Sequence, residues 1–221
     1  MGAGSLLIGR GIPRDVIAKG SASLVLSPLV ATAACMAAAV LLEIPAFLLP
    51  GLPLGLVFLF LLVFFRDPER VAGRGLVSPA DGRVLEVDPA AGRVTVFMGL
   101  TNVHVNRAPT DGRIARMTHT PGGHAPAYAP RARANERLET VLETALGPVR
   151  LVQVAGTIAR RIVPFREEGD RVKKGQRIGM IRFGSRVEMT LPKGVRLVVR
   201  VGDRVRAGET TVAEVSRVLA R

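Results

Sequence analysis

The sequence predicts a mainly β protein of the α+β class, in which an N-terminal apolar helical hairpin precedes a β-sandwich or barrel-like domain. Between residues 20 and 65 the single charged residue is Glu43. From residue 76 onwards, short β-branched runs alternate with turns that contain glycine or proline, which is typical of strands. Near the C-terminus, GDRVKKG at residues 169–175 recurs as GDRVRAG at residues 202–208, and this pseudo-repeat indicates a pseudo-symmetric β-sandwich or barrel.

The apolar segment divides into two parts, residues 20–42 and 44–65, separated by Glu43 and by prolines and a glycine between residues 45 and 53. A membrane-spanning helix needs about 20 apolar residues. The first part is long enough, whereas the second is uninterrupted only from Leu54, so we expect a hairpin that dips into the bilayer or barely crosses it. The apolar core of a signal peptide is shorter, about 7–15 residues, so we expect the segment to stay on the mature protein. A buried hairpin of a soluble protein is the alternative.

The net charge of +13, from 31 Lys and Arg against 18 Asp and Glu, predicts an anionic partner. We expect no nucleic acid, because the chain lacks Trp and five of its eight Phe lie in the apolar segment, which leaves few rings for base stacking. An anionic membrane surface fits better, and charge that serves solubility alone is the alternative. Basic residues flank the hairpin on both sides, so the positive-inside rule places both ends on the cytoplasmic face of the cell membrane. These residues are Arg10, Arg14, Lys19, Arg66, Arg70 and Arg74.

Cysteine and histidine provide no support for a metal site. Cys35 is the single cysteine, so the chain forms neither an intramolecular disulfide nor a thiolate cluster. The three histidines, His104, His119 and His124, show no H-x-x-x-H spacing. We therefore expect no metal.

After the hairpin, Pro68 is expected to end any helix and residues 66–70 to meet the lipid headgroups. The β-prone runs that follow predict two hairpins, of which the first strand of the second could instead be helical. Residues 120–133, rich in Pro, Gly and Ala, predict a long loop. The predicted strands are residues 84–87 and 93–98, residues 114–118, residues 138–144 and 149–154, and residues 178–181 and 211–215.

The Gly184-Ser185 pair lies between the two copies of the repeat. Because Gly184 has no Cβ, a neighbouring hydroxyl can approach its carbonyl closely. Attack by the Ser185 hydroxyl on that carbonyl would give an ester, and β-elimination of the ester would break the chain and convert the serine into a pyruvoyl group. A simple turn or bulge is the other interpretation of this pair.

Four separated motifs resemble those of the short, self-processing phosphatidylserine decarboxylases, in the same order. They are FFRDPER at 64–70, SPADG at 78–82, VHVNRAP at 103–109 and FGS at 183–185, and QVAGTIARRIV at 153–163 is also similar. The likeness runs from about residue 60 to about residue 215, and the preceding segment resembles the membrane-associated lead of the family.

The resemblance implies a lyase of phospholipid biosynthesis that converts phosphatidylserine to phosphatidylethanolamine and CO₂ through a Schiff base on its pyruvoyl group. That group would derive from Ser185, so no other cofactor is expected. The domains would be residues 1–65, the membrane hairpin, and residues 66–221, the catalytic domain. Cleavage between 184 and 185 would give a large chain, 1–184, and a small chain, 185–221, which stay associated. A homo-oligomer is possible.

The resemblance also assigns residues. Asp81 and His104 occupy the positions of the orienting acid and of the base that removes the proton from Ser185. Thr101 stands where longer relatives carry a second histidine, which leaves the later proton donor open, and His119 and His124 are unassigned. Arg107 and Arg113 are candidates for holding carboxylate or phosphate.

Two other functions remain open from the residues. One is a membrane-anchored barrel-sandwich adaptor or carrier module without catalysis, because the repeat is also typical of biotinyl and lipoyl carriers. A carrier should present a lysine in a tight Met-Lys turn, yet three residues separate Met189 from Lys193. The other is a serine hydrolase that uses Ser185, His104 and Asp81 on an external ester.

Overall fold

The apolar segment folds as two packed helices in the computed structural model, which describes residues 17–123, 125–157, 161–183 and 185–215. Helix α1 spans Ala22–Leu41, and helix α2 spans Leu48–Phe64 directly after a 3₁₀ turn at Pro45–Phe47. Each leg, Ala22–Leu41 and Pro45–Phe64, has 20 residues and is apolar enough to cross a membrane. At 1.5 Å per residue, 20 helical residues extend about 30 Å, the thickness of a bilayer core.

The second helix is longer than the sequence indicates, because the prolines before Leu54 do not exclude a helix. Pro50 lies in the first turn, where a backbone N–H has no intrahelical acceptor, and Pro53 is accommodated inside the helix. Gly51 and Gly55 face α1, and a Cβ at Gly51 would lie 3.6 Å from the Cβ of Cys35. These two glycines therefore let the two helices pack closely.

The remainder of the described chain is built from antiparallel strands in three sheets, which confirms the predicted fold class. The strands are β1 Leu76–Val77, β2 Gly82–Asp88, β3 Arg93–Met98, β4 Val105–Arg107, β5 Gly112–Thr120, β6 Arg137–Thr144, β7 Gly147–Ala155, β8 Ile162–Pro164, β9 Arg171–Val172, β10 Arg177–Ile181, β11 Ser185–Thr190, β12 Val195–Leu197, β13 Arg204–Val205 and β14 Thr211–Val215. Eight strands form a curled sheet in the order β13-β2-β3-β11-β7-β6-β5-β9. Two three-stranded sheets, β1-β14-β12 and β4-β10-β8, complete the body.

Both predicted hairpins are present, as β2–β3 and β6–β7. The ambiguous segment before residue 145 is strand β6, not a helix. Leu138, Thr140 and Leu142 are buried and alternate with more exposed neighbours, which is the period of two that a strand requires.

The internal repeat is more extensive than the predicted one. SPADGRV at residues 78–84 matches APTDGRI at residues 108–114, and the two segments lie beside each other with reciprocal contacts. The Val77 N–H donates to the Pro109 carbonyl and the Arg107 N–H donates to the Pro79 carbonyl, each at 2.9 Å. The later repeats complete the two halves, because residues 202–208 bond to the first segment and residues 169–175 to the second. The body therefore has a pseudo-two-fold axis.

A second apolar cluster joins the helical hairpin to the body. It contains residues from both helices, from the segment around β4 and from β10, separately from the main core of the β sheets. Its buried members are Ala18, Val25, Phe64, Phe65, Val103, Val105 and Met180. This junction lies next to the segments that carry the candidate catalytic residues.

Candidate active site

Ser185 is the first residue of β11 and is fully buried in the middle of the curled sheet. It pairs with Met98 of β3 on one side and with Ala155 of β7 on the other. Its hydroxyl donates to the sulfur of Met98 at 3.5 Å, a weak acceptor. Gly184 lies outside the described residues. The serine is therefore fixed by two neighbouring strands and shielded from bulk water.

The residue two positions before Ser185 is held in a strained conformation. Phe183 has a φ of 61°, in the left-handed region that favours glycine. For a residue with a bulky side chain this conformation costs about 1–3 kcal/mol, so the surrounding structure must impose it. The chain thus enters the Gly184-Ser185 segment from a strained position.

His104 is buried and neutral, with one free ring nitrogen. Its Nδ1 lies 2.9 Å from the Asn102 carbonyl oxygen, which can only accept a hydrogen bond. Nδ1 must then carry the proton, so Nε2 presents a lone pair, and Nε2 has no hydrogen-bond partner among the described residues. The pKa of His104 is lowered to about 4, chiefly by burial and also by the charge of Arg66, against the opposite effects of the Asn102 hydrogen bond and of Asp81. At neutral pH the imidazole is therefore neutral, and Nε2 is available to accept a proton.

Asp81 lies in the same region but does not form the expected hydrogen bond to His104. Its carboxylate is bound by the guanidinium of Arg70, with Arg70 Nη2 2.9 Å from Oδ2, and accepts the Ala207 N–H at 2.7 Å. The physical reason is that Arg70 reaches the buried carboxylate with two donors. Asp81 still acts on the imidazole through its charge, which raises the pKa of His104.

A buried polar chain continues from Ser185. Asn106 donates through Nδ2 to the same Met98 sulfur at 3.5 Å, and Gln153 donates through Nε2 to Asn106 Oδ1 at 2.7 Å. Asn106 and Gln153 are not among the site residues predicted from the sequence. The available signal was a polar residue inside each of two β-prone runs, in the motifs VHVNRAP and QVAGTIARRIV.

An aromatic stack borders the site. The ring of Phe64, the last residue of α2, lies 4.1 Å from the His104 ring and 4.5 Å from the Phe183 ring, between centroids. Phe65 packs edge-on against Phe64 and Phe183. The end of the second helix is therefore in contact with two segments of the candidate site.

The two candidate arginines differ in their surroundings. Arg107 is buried and donates to Asp67 at 3.0 Å and to the carbonyl oxygens of Pro68 and Gly175. It fastens residues 66–70 to the body instead of facing an open ligand site. Arg113 lines an open cleft of about 1150 Å³.

His119 makes no described contact with Ser185. His119 is exposed on β5, where Nε2 lies 3.0 Å from Glu136 Oε1. His124 lies outside the described residues. Within the described part of the chain, no cluster of His, Cys, Asp and Glu could hold a metal ion.

Comparisons with known proteins identify the family of this chain. The family model for phosphatidylserine decarboxylase matches residues 57–213. The chain is 47% identical to a phosphatidylserine decarboxylase proenzyme of Streptomyces coelicolor over 156 residues, which covers 69% of this chain and 72% of that protein. It is 42% identical to a Methanosarcina mazei protein named as an archaetidylserine decarboxylase proenzyme over 211 residues, 90% of this chain and 97% of that protein. The chain belongs to the phosphatidylserine decarboxylase family.

Proposed function

We propose that this protein is a membrane-bound, self-processing phosphatidylserine decarboxylase in which Ser185 becomes the pyruvoyl group. The family carries such a group, formed from a serine of the proenzyme. We choose Ser185 because it is fully buried at the start of β11, two residues after Phe183, whose backbone is strained.

In the structure the Ser185 hydroxyl donates to the Met98 sulfur and not to His104. Self-cleavage would therefore begin when this hydroxyl turns away from the sulfur and transfers its proton to Nε2 of His104. The Oγ then attacks the carbonyl carbon of Gly184, the C–N bond breaks and the departing nitrogen takes up a proton, which leaves an ester. Loss of the α-proton of residue 185 and cleavage of its Cβ–Oγ bond release the Gly184 carboxylate and leave dehydroalanine. One water hydrolyses the tautomeric imine to the pyruvoyl group and ammonia. The products are the chains 1–184 and 185–221.

Asp81 would assist electrostatically. As His104 takes the serine proton it becomes an imidazolium, and a nearby carboxylate stabilises that charge. The ion pair with Arg70 and the N–H of Ala207 hold this carboxylate in its buried position.

The two chains should remain associated after cleavage. β11 lies inside the curled sheet and pairs along its whole length with β3 and β7. The small chain would also contribute β12, β13 and β14, which pair with strands of both products. Separation would therefore expose much of the core.

The site fits the pyruvoyl group. Ser185 is fully buried, and the free Nε2 of His104 is a buried polar atom without a partner among the described residues. When present, the pyruvoyl carbonyl captures the substrate amine and accepts the electron pair released as CO₂ departs. Met98 and Phe183 would keep bulk water from this carbonyl, and His104 would hold or move a proton at Nε2.

The hairpin and the basic body support a location at the cytoplasmic face of the cell membrane. Five basic residues that line the 1150 Å³ cleft form no ion pair with a described residue, namely Arg113, Arg166, Arg171, Lys173 and Lys174. The cleft also contains Glu69 and Arg70 of the segment that follows α2. Glu69 is five residues from Phe64, so even a fully extended chain would place Glu69 no more than about 17 Å from the C-terminal end of α2. Anionic headgroups would complement this charge.

Release of CO₂ tests the proposal. Purified full-length protein in vesicles that contain phosphatidylserine labelled in its carboxyl group should release labelled CO₂, and Ser185→Ala should release none. Archaetidylserine, which has the same headgroup on different tails, forms a second arm because relatives named for it match this chain. Absence of CO₂ from both lipids in correctly folded protein would favour the adaptor or carrier function.

A further inference from the structure

Phe64 lies at the meeting point of the membrane hairpin and the candidate site. Its ring is 1% exposed and is sandwiched between His104, at 4.1 Å, and Phe183, at 4.5 Å between centroids. It is also the last residue of α2. One side chain thus contacts the expected base and the residue that precedes Gly184-Ser185.

The same rings enclose the strained residue. Phe183 lies 25° from parallel to Phe64 and meets Phe65 edge-on at 5.8 Å. A φ of 61° is unfavourable for phenylalanine, so contacts made by the folded chain must impose it. The two rings at the end of α2 are contacts of that kind, because both pack directly against the Phe183 ring.

Further hydrogen bonds connect the start of the hairpin to the same segments. The Ala18 N–H donates to the Phe65 carbonyl at 2.7 Å, and Arg182 Nη2 donates to the Gly20 carbonyl at 3.0 Å. Arg182 directly precedes Phe183. Both ends of the hairpin are thus attached at the entry to the cleavage segment.

We infer that Phe64 is a positioning residue, through which docking of the membrane hairpin sets the geometry of His104 and Phe183 for self-cleavage. The inference rests on the proposed function, because it concerns cleavage at Gly184-Ser185. It makes maturation dependent on a correctly docked hairpin, so a proenzyme with an undocked hairpin stays uncut.

Phe64 also shields the imidazole of His104, so the inference predicts a change in the pH dependence of the cleavage rate. Burial is the largest cause of the lowered pKa of His104, and the charged groups that act on the ring are Arg66, which lowers the pKa, and Asp81, which raises it. Removal of the Phe64 ring admits water, so the His104 pKa should rise from about 4 towards 6.5. Since the base must be neutral, the acid limb of the cleavage rate moves to higher pH.

The experiment follows cleavage of newly synthesised full-length chains in liposomes, by gel densitometry against time and pH. Phe64→Ala should cleave at least about tenfold more slowly than wild type, with its acid limb raised by one pH unit or more. Phe64→Leu keeps an apolar side chain without the ring and should be intermediate. Phe47→Ala is the matched control, because Phe47 lies at the opposite end of α2 and should cleave as wild type does.

A double-mutant cycle tests the strain directly. Glycine adopts a φ near +60° without strain, so Phe64→Ala should slow cleavage less in a Phe183→Gly background than in wild type. Wild-type rate and pH profile in both Phe64 variants would overturn the inference, as would an equal loss in Phe47→Ala. If Phe64→Ala fails to fold, Phe64→Leu decides by the same criteria. An uncut wild type would instead overturn the proposed function.

Discussion

Asp81 and Asp111 occupy equivalent positions in the two halves of the body, and each carboxylate accepts the N–H of an equivalent residue. Asp81 accepts from Ala207 at 2.7 Å and Asp111 from Lys174 at 2.6 Å. Asp81 is in addition bound by Arg70, whereas Asp111 forms no ion pair with a described residue. The shared contact closes a turn of the repeat, so the ion pair with Arg70 and the effect on the His104 pKa are what distinguish Asp81.

This relationship provides a matched pair of variants. Asp81→Asn and Asp111→Asn each keep an oxygen that can accept the backbone N–H, but remove the charge. We expect Asp81→Asn to slow self-cleavage at least about tenfold, because the imidazolium of His104 loses its stabilising carboxylate. Asp111→Asn should stay within about twofold of wild type. The measurement is the rate of chain cleavage, with melting temperature as the control, and equal effects would reduce Asp81 to a structural role.

The burial of His104 predicts the pH dependence of maturation. Its pKa is lowered to about 4, so Nε2 is an available base at every pH above that value. The cleavage rate of wild type should therefore change little between pH 7 and pH 5 and fall as the pH approaches 4. An acid limb centred near 6.5, the ordinary histidine value, would show that the base is a solvated histidine. His104→Ala should remain uncut.

The stability of the folded protein should also depend on the protonation of His104, and the lowered pKa sets the direction of that pH dependence. The unfolded chain binds a proton at His104 near pH 6.5, whereas the folded protein binds it near pH 4. The contribution of this residue to stability is therefore complete above about pH 6.5 and decreases as the pH falls through this interval. In an uncleaved Ser185→Ala background, His104→Gln should flatten the pH dependence of the melting temperature between pH 6.5 and pH 4. An unchanged slope would contradict the burial of a neutral imidazole.

The buried pair of Arg107 and Asp67 should determine how firmly the hairpin is attached. Their side chains are 4% and 2% exposed, so loss of one partner leaves a buried charge unpaired. Asp67→Ala should cost about 3–5 kcal/mol of unfolding free energy, seen as a lower melting temperature in detergent. The exposed pair of Arg196 and Glu214 is the control, and Glu214→Ala should cause no measurable change. Similar melting temperatures for both variants would contradict this account.

The basic cleft predicts salt-sensitive membrane binding. Arg171→Gln combined with Lys173→Gln should weaken binding of the Ser185→Ala protein to phosphatidylglycerol vesicles by about thirtyfold, because each of the two cations contributes on the order of 1 kcal/mol near an anionic surface. Binding to phosphatidylcholine vesicles should not change. Arg196→Gln, on an exposed strand outside the cleft, provides the control. If Arg196→Gln weakens binding as much for each charge removed as the double variant does, the effect belongs to net charge and not to the cleft.

The sequence was sufficient to predict features that depend on local pattern. The apolar hairpin and the β-hairpins β2–β3 and β6–β7 follow from composition, period and turn residues. The early start of α2 did not, because the packing of Gly51 and Gly55 against α1 outweighs the helix-breaking tendency of nearby prolines.

The contacts of the candidate site depend on tertiary structure and could not be predicted. Nothing local indicates that Arg70 binds Asp81, or that Phe64 inserts between His104 and Phe183, since these pairs meet only when the hairpin docks. Asn106 and Gln153 face each other because β4 and β7 lie in different sheets that pack together. Side-chain partners of this kind are set by packing, which short sequence patterns do not encode.

Intact mass spectrometry of the purified, denatured protein tests the central claim most directly. We expect two species that correspond to residues 1–184 and to residues 185–221, the second with a pyruvoyl group in place of its N-terminal serine and resistant to Edman degradation. A decarboxylating preparation that consists of one unbroken chain of 221 residues would contradict the account.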